Sequence, residues 1–323
     1  MSERDLLVVL VGPTGVGKTA LAIRLVEALA AEGVHVEVVS ADSRQIYRDM
    51  DIGTAKPSPA GQARVPHYLI DLLDPDEHFS LAEYQERAYA AIDAIHVRAH
   101  LPLLVGGTGQ YVRAVIEGWR IPRVPPDEAL RARLYAQAEE EGREALYKRL
   151  LALDPDAEEL IDPRNVRRVV RALEVCLKTG RPFSEQRGKD PPPYEIVQIG
   201  LTMEREALYA RVDARVDAMI EAGLVEEVRT LHAQGYGWDL PAMSSLGYRQ
   251  LRAYLSGETT LAEAAAEIKT ETHRFIRHQY NWFRPNDPGI HWLDAADDPL
   301  PAALACIRQA LGLAEPLAEE GAS

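Results

Sequence analysis

A chain of 323 residues exceeds the usual size of one domain, and its 46% hydrophobic and 27% charged side chains are those of a globular protein, which excludes collagen, a disulfide scaffold and wholesale disorder. Its 36 basic and 50 acidic residues leave a net charge of -14, which over the whole surface argues against a protein coated in nucleic acid. Cys176 and Cys306 lie far apart among apolar, helix-patterned residues, so they read as free thiols of a reducing compartment and offer no zinc cluster.

Met1 to Asp5 is polar, and the apolar run Leu6 to Val11 is too short for a signal-peptide core or a membrane span before Gly12 cuts it off. A cytoplasmic protein without membrane contact is expected. Leu6 to Val11 reads as a buried parallel strand, followed by a glycine-rich turn and an alanine-rich helix over Ala20 to Ala31. Val34 to Ser40 reads as a second strand. Phe79-Ser80-x-x-Glu83 has capping-box spacing before a helix to about His96, and Leu101 to Val105 is a third strand ending at Gly106-Gly107. Strands alternating with helices predict an α/β fold with a parallel sheet flanked by helices. Prolines at Pro122, Pro125, Pro126 and Pro191 to Pro193 bracket a helix-patterned stretch. It is expected to be an inserted all-helical domain, residues 121–193, within a core made of 1–120 and 194–323. Tyr194 to Leu201 resumes the strand pattern, and one long helix is predicted from Arg205 to about Ala233. A capping box at Thr260-x-x-Glu263 opens a helix predicted to reach Phe283 before Pro285 stops it. Leu304 to Leu311 is a last helix, the final ten residues are expected to be loose, and there is no internal repeat.

Gly12-Pro13-Thr14-Gly15-Val16-Gly17-Lys18-Thr19 fits G-x-x-x-x-G-K-[ST] between a strand and a helix, as a P-loop NTPase-like core requires. Its glycines let successive N–H groups turn toward one anion, the helix N-terminus favours negative charge, Lys18 adds a cation, and the Thr19 hydroxyl can bind Mg²⁺. The loop implies a di- or triphosphate ligand without saying whether it is transferred, hydrolysed or expelled. Asp42, just past the second strand, lies at the rim where open parallel sheets bind ligands. The competing reading of Asp42 is a helix N-cap.

Further motifs follow in order: Asp42-Ser43-x-Gln45-x-Tyr47, Met50 to Pro57 (MDIGTAKP), Gly106-Gly107-Thr108-Gly109-x-Tyr111, Arg171-Ala172-Leu173-Glu174-Val175, Leu246-Gly247-Tyr248-Arg249-Gln250 and Trp282-Phe283-Arg284. With the phosphate loop, this series resembles the tRNA dimethylallyltransferase (tRNA isopentenyltransferase) family over almost the whole chain. The resemblance implies transfer of a dimethylallyl group from dimethylallyl diphosphate to N6 of the adenosine just 3′ of the anticodon, with Mg²⁺ and release of diphosphate. Its usual substrates are tRNAs reading codons that begin with U, and a monomer is expected. An exocyclic amine is a poor nucleophile, so a general base helps, and Asp42 is placed to be that base. Arg215 corresponds to the family's diphosphate-contacting arginine, with Arg211, one turn earlier on the same face, as its rival. Thr108 matches a threonine near the reacting groups, against the plain reading of a turn residue.

Arg164, Arg167, Arg168 and Arg171 at i, i+3, i+4 and i+7 are predicted to form one helix face for RNA phosphates, with no acid interleaved; a solvated face is the alternative. Eight Lys or Arg between Pro163 and Lys189 meet only Glu174 and Glu185. The resemblance carries tRNA contact onto Asp42, Ser43, Arg44, Gln45, Thr108, Arg131, Arg167, Arg168, Val169, Val170 and Arg171. It does the same for Ser244, Ser245, Leu246, Gly247, Tyr248 and Arg249, and for Arg277, His278, Gln279, Tyr280, Asn281, Trp282, Phe283 and Arg284. Tyr248 or Trp282 could support displaced bases, although core packing also suits Trp282. The pattern departs at His273 and His278, where the family usually has arginine; neutral histidine there loses phosphate attraction. His96 and His100, at i and i+4, have no acidic or Cys partner nearby in sequence and read as a solvated helix end. Two rivals stay open: a P-loop small-molecule kinase using Asp71 as a Walker-B-like acid, and a nucleotide-gated RNA-binding protein without chemistry. The basic inserted segment argues against the first, and Asp42 with Arg215 against the second.

Overall fold

The computed structural model describes residues 5–313; the final ten residues, expected to be loose, lie outside the described residues. In chain order the elements are β1 (Leu6–Val11), α1 (Lys18–Ala31), β2 (Val36–Ser40), α2 (Pro59–Arg64), β3 (His67–Tyr68), α3 (Leu81–Val97), β4 (Leu101–Val105) and α4 (Gly109–Ile116). There follow β5 (Trp119–Arg120), α5 (Glu128–Glu140), α6 (Arg143–Leu153), α7 (Ala157–Leu160), α8 (Val166–Thr179), β6 (Gly188–Lys189) and β7 (Glu195–Thr202). The chain continues with α9 (Arg205–Glu221), α10 (Leu224–Ala233), α11 (Tyr248–Leu255), α12 (Leu261–Trp282), β8 (His291–Asp294) and α13 (Leu300–Leu311).

Six strands form one all-parallel sheet in the order β3-β2-β4-β1-β7-β8, with Val8 opposite Leu103 on one side of β1 and opposite Val197 on the other. Leu6, Val8 and Leu10 share a core with α1 and α13. Alternation sends Leu7, Val9 and Val11 to the opposite face, also fully buried, so β1 is covered on both faces as a continuous apolar run requires. This is the expected α/β class. The capping boxes at Ser80 with Glu83 and Thr260 with Glu263 are both formed.

Three readings need correction. β3, two residues long, gave no alternation to detect, so Leu101–Val105 is the fourth strand and not the third. The helix expected from Arg205 to Ala233 is two helices, broken where Gly223 takes φ 105°, a left-handed conformation that ends one helix and starts the next. The chain divides into two compact units, one up to Arg113 and from Pro193 on, the other Ala114–Pro192. The second unit is not purely helical: β5 and β6 pair antiparallel, Trp119 with Lys189 and Arg120 with Gly188, which carries it back to Ala114. Its own core gathers Leu130, Leu134, Leu146, Leu150, Val169, Val170 and Leu173. Among the described residues no helix is long and apolar enough to cross a membrane.

Candidate active site

The loop between β1 and α1 turns on glycines for steric reasons. Gly15 has φ 79°, and a Cβ there would run into the Val212 side chain of α9. Lys18, first residue of α1, folds back so that Nζ donates to the carbonyls of Gly12 at 2.9 Å and Pro13 at 2.8 Å. Burial pulls its ammonium down to about 8, opposed by the nearby Asp42 carboxylate and assisted by the positive charge of Arg215. Arg215, on α9, is itself pulled below the ordinary arginine value by burial, against Asp42 and with Arg211. Arg211 lies over the loop: a methyl group on Gly17 would stand 3.5 Å from its Nη2. The structure therefore brings both arginines to the site, Arg215 beside the carboxylate and Arg211 over the loop.

Asp42 follows β2 at the C-terminal rim of the sheet. Its Oδ1 accepts from the N–H groups of Arg44 (2.8 Å) and Gln45 (3.4 Å), closing a turn and not capping a helix. No hydrogen bond to its Oδ2 occurs among the described residues. The Thr108 hydroxyl oxygen, after β4, accepts from the Ser43 N–H at 3.0 Å, and the Thr108 N–H donates to the Ala41 carbonyl at 3.2 Å, so the two rim loops are tied together. Gln45 turns away, its Nε2 donating to the carbonyls of Thr54 and Ala55.

Oxygen donors for a metal are the exposed Thr19 hydroxyl and the Asp42 carboxylate. Among the described residues no group of three or more His, Cys, Asp or Glu is arranged to hold an ion. That donor set suits Mg²⁺, which keeps waters and phosphate oxygens and takes few protein ligands.

Several of the residues expected at the RNA are committed elsewhere. Tyr248 is fully buried, and its hydroxyl donates to Glu227 at 2.5 Å. Glu227 also accepts from the N–H groups of Asp51, Ile52 and Gly53, and nothing in the sequence singled it out. Lys56, buried in the MDIGTAKP motif, donates to Asp51, Asp71 and the Tyr47 carbonyl, which places Asp71 in a structural ion pair. Ser245 and Phe283 are buried; Ser244 bonds the Pro241 carbonyl, as does Arg44, and Arg249 pairs with Glu271. Leu246 is half-buried, Gly247 leads into α11 at φ 93°, and Tyr280 packs partly into the core. Arg277, bonded to the Tyr209 hydroxyl, is exposed, as are His278, Asn281, Trp282 and Arg284.

In the second unit Val169 and Val170 are core residues, each 1% exposed, so their side chains are closed to any ligand. Arg131 and Arg171 both grip the buried Glu174 carboxylate, and Arg171 also donates to the carbonyls of Val124 and Pro122. Arg164 lies before the Asn165 cap, outside α8, and pairs with Asp162. The predicted four-arginine face is thus two free arginines, Arg167 and Arg168, exposed and without an ion pair among the described residues; Arg187 has its charged form disfavoured by burial and by Arg168.

The model of the IPP transferase family matches residues 45–286. The chain belongs to the IPP transferase family. It is 58% identical over 278 residues to a protein named tRNA dimethylallyltransferase in Roseiflexus sp. strain RS-1, covering 86% of this chain and 90% of that one. To the protein of the same name in Roseiflexus castenholzii it is 56% identical over 304 residues, covering 94% and 97%. Among solved structures it resembles the full-length tRNA isopentenylpyrophosphate transferase of Bacillus halodurans with a TM-score of 0.70 at 40% identity, covering 96% of this chain and 97% of that one. In this IPP transferase His273 is no bare loss of an arginine: it bonds Asp213 at 2.8 Å and stacks on Tyr209, pinning α12 to α9. His96 bonds the Leu6 carbonyl and His100 bonds Glu37, so neither is a solvated end.

Proposed function

We propose that the chain transfers the dimethylallyl group of dimethylallyl diphosphate to N6 of the adenosine just 3′ of the anticodon in tRNAs reading codons that begin with U, releasing diphosphate. The observation that carries this reading is one carboxylate, Asp42, near enough to two cations, Lys18 of the phosphate loop and Arg215, to attract both, in an IPP transferase. Against a kinase, Asp71, the acid expected to hold its metal, is paired with Lys56, and the relatives at 56 to 58% identity are named tRNA dimethylallyltransferase.

The allylic C–O bond breaks with its electron pair leaving on the diphosphate, the N6–C bond forms, and the N6 proton passes to Asp42. Oδ1 is committed to two N–H groups, so the proton goes to Oδ2, and those bonds hold the carboxylate still while it accepts. Charge growing on the leaving oxygens meets the loop N–H groups, Lys18 and Arg215, with Arg211 over the loop, all in place before reaction. Thr108, tied to Ser43, orients the amine beside Asp42. Mg²⁺ held by the Thr19 hydroxyl and the diphosphate would supply further positive charge to the leaving group. Arg167 and Arg168 contact tRNA phosphates, and the exposed residues at the end of α12 (Arg277, His278, Asn281, Trp282), with Arg284 just beyond it, face the anticodon stem-loop. Arg131 and Arg171 act indirectly, by holding Glu174 and hence α8.

The test is incubation with unmodified tRNA and either dimethylallyl diphosphate or ATP, followed by mass analysis of the nucleosides. A gain of one prenyl unit on adenosine with the first donor is expected; phosphate transfer from ATP and no prenyl gain overturns the reading.

A further inference from the structure

A polar side chain buried in a core is held by its hydrogen bonds, and its partners define its task. Gln279, in the last turns of α12, is 4% exposed. Its Oε1 accepts from the Thr14 N–H at 2.8 Å, and its Nε2 donates to the Gly107 carbonyl at 2.9 Å. One amide therefore spans the phosphate loop after β1 and the loop after β4 that carries Thr108. Each partner needs the opposite end of the amide, so its orientation is fixed. One turn on, Trp282 lies so close to Gly109 that no side chain fits there, and α12 thus grips the second loop on both sides of Thr108. A glutamine expected at the RNA is closed off from it.

We infer that Gln279 is a positioning residue, through which α12 sets the phosphate loop and Thr108 in register. The Thr14 N–H, given to Gln279, is withheld from the anion, as is the Val16 N–H, given to the Pro13 carbonyl at 3.4 Å, and the N–H groups of Gly15, Gly17, Lys18 and Thr19 remain as the phosphate cup. A loop fixed in this shape beforehand binds diphosphate without an ordering cost. The Thr108 half of the inference rests on the prenyl-transfer reading; the diphosphate half does not.

Gln279→Met keeps the bulk and removes both bonds. Its affinity for pyrophosphate with Mg²⁺, by calorimetry, should fall about tenfold, the effect of one buried hydrogen bond lost. Single-turnover prenyl transfer at saturating donor should slow as well, while tRNA affinity and its salt dependence stay within about twofold of wild type. Weakened tRNA binding with pyrophosphate affinity intact would make Gln279 an RNA contact, and no change in either would make it a space filler; both overturn the inference. A measurement on the unaltered protein guards against a variant that does not fold. The Thr14 amide should be protected from hydrogen exchange before pyrophosphate is added and unmoved by it, while the amides of Gly15, Gly17, Lys18 and Thr19 gain protection. A Thr14 amide protected only by pyrophosphate overturns the inference. Wild-type protein that binds pyrophosphate but transfers no prenyl group would sink the proposed reaction and leave these binding tests standing.

Discussion

Burial holds the Lys18 ammonium at about 8, against the pull of Asp42, so its charge is present below that pH and lost as pH rises through it. Pyrophosphate affinity should therefore decline between about pH 7 and 9, and Lys18→Arg, whose guanidinium does not titrate there, should remove the decline. The same decline in the arginine variant would place the titrating group elsewhere. At Asp42 the informative change is to asparagine and not alanine. Asp42→Asn keeps an oxygen for the Arg44 and Gln45 N–H groups, hence the turn, but has no basic oxygen. Turnover should drop by about 10² to 10⁴ with tRNA affinity little altered, in single-turnover and binding assays. A variant that binds tRNA poorly yet reacts normally when saturated makes Asp42 a recognition residue. The phosphate loop was legible in the sequence because eight contiguous residues carry it. Glu227 and the Gln279 strut were not, since each acts on backbone groups more than a hundred residues away.

Elements differ in how much of their packing a pattern reveals. The buried face of α8 is legible in the sequence at Val169, Val170 and Leu173, and burial closes the two valine side chains, which the family resemblance places at the tRNA, to any ligand. Glu174, one acid in a basic run of the sequence, is the buried anion that pairs with Arg131 and Arg171. Two free arginines remain. Replacing Arg167 and Arg168 with alanine should weaken tRNA binding and flatten the slope of log affinity against log salt by about 1.5, at roughly 0.7 to 0.9 per phosphate contact. An unchanged slope returns α8 to a solvated face. On α11, Tyr248 had the sequence look of a stacking aromatic, but burial and the Glu227 carboxylate push its hydroxyl far above the ordinary tyrosine value, as suits a fixed donor. Tyr248→Phe leaves Glu227 short of one partner and should cost about 1 to 3 kcal/mol in denaturant unfolding without touching tRNA affinity. Lost tRNA affinity at unchanged stability would restore the aromatic to the RNA.

Over the whole molecule the charge is partitioned. Ala114–Pro192 holds 15 basic and 15 acidic side chains and is neutral, so the rest of the chain carries the entire -14. On the proposed reaction, polyanion repulsion from the core leaves the neutral unit, with its exposed Arg167 and Arg168, as the favoured place for RNA phosphates, while the small diphosphate would enter beside Lys18, Arg211 and Arg215. The second unit also has a hydrophobic core of its own, built from α5, α6 and α8. A ligand stabilises what it binds, by about 2.7 kcal/mol at a hundred times its Kd. Saturating pyrophosphate and Mg²⁺ should therefore slow hydrogen exchange in β1, α1 and α9 and leave α5, α6 and α8 unchanged, as read by mass spectrometry. Adding the anticodon stem-loop should then slow exchange in α8, with the Arg167/Arg168 double variant losing that second effect alone. Protection of α5, α6 and α8 by pyrophosphate by itself would mean that the two units unfold as one and that the proposed diphosphate site reports to α8 without RNA.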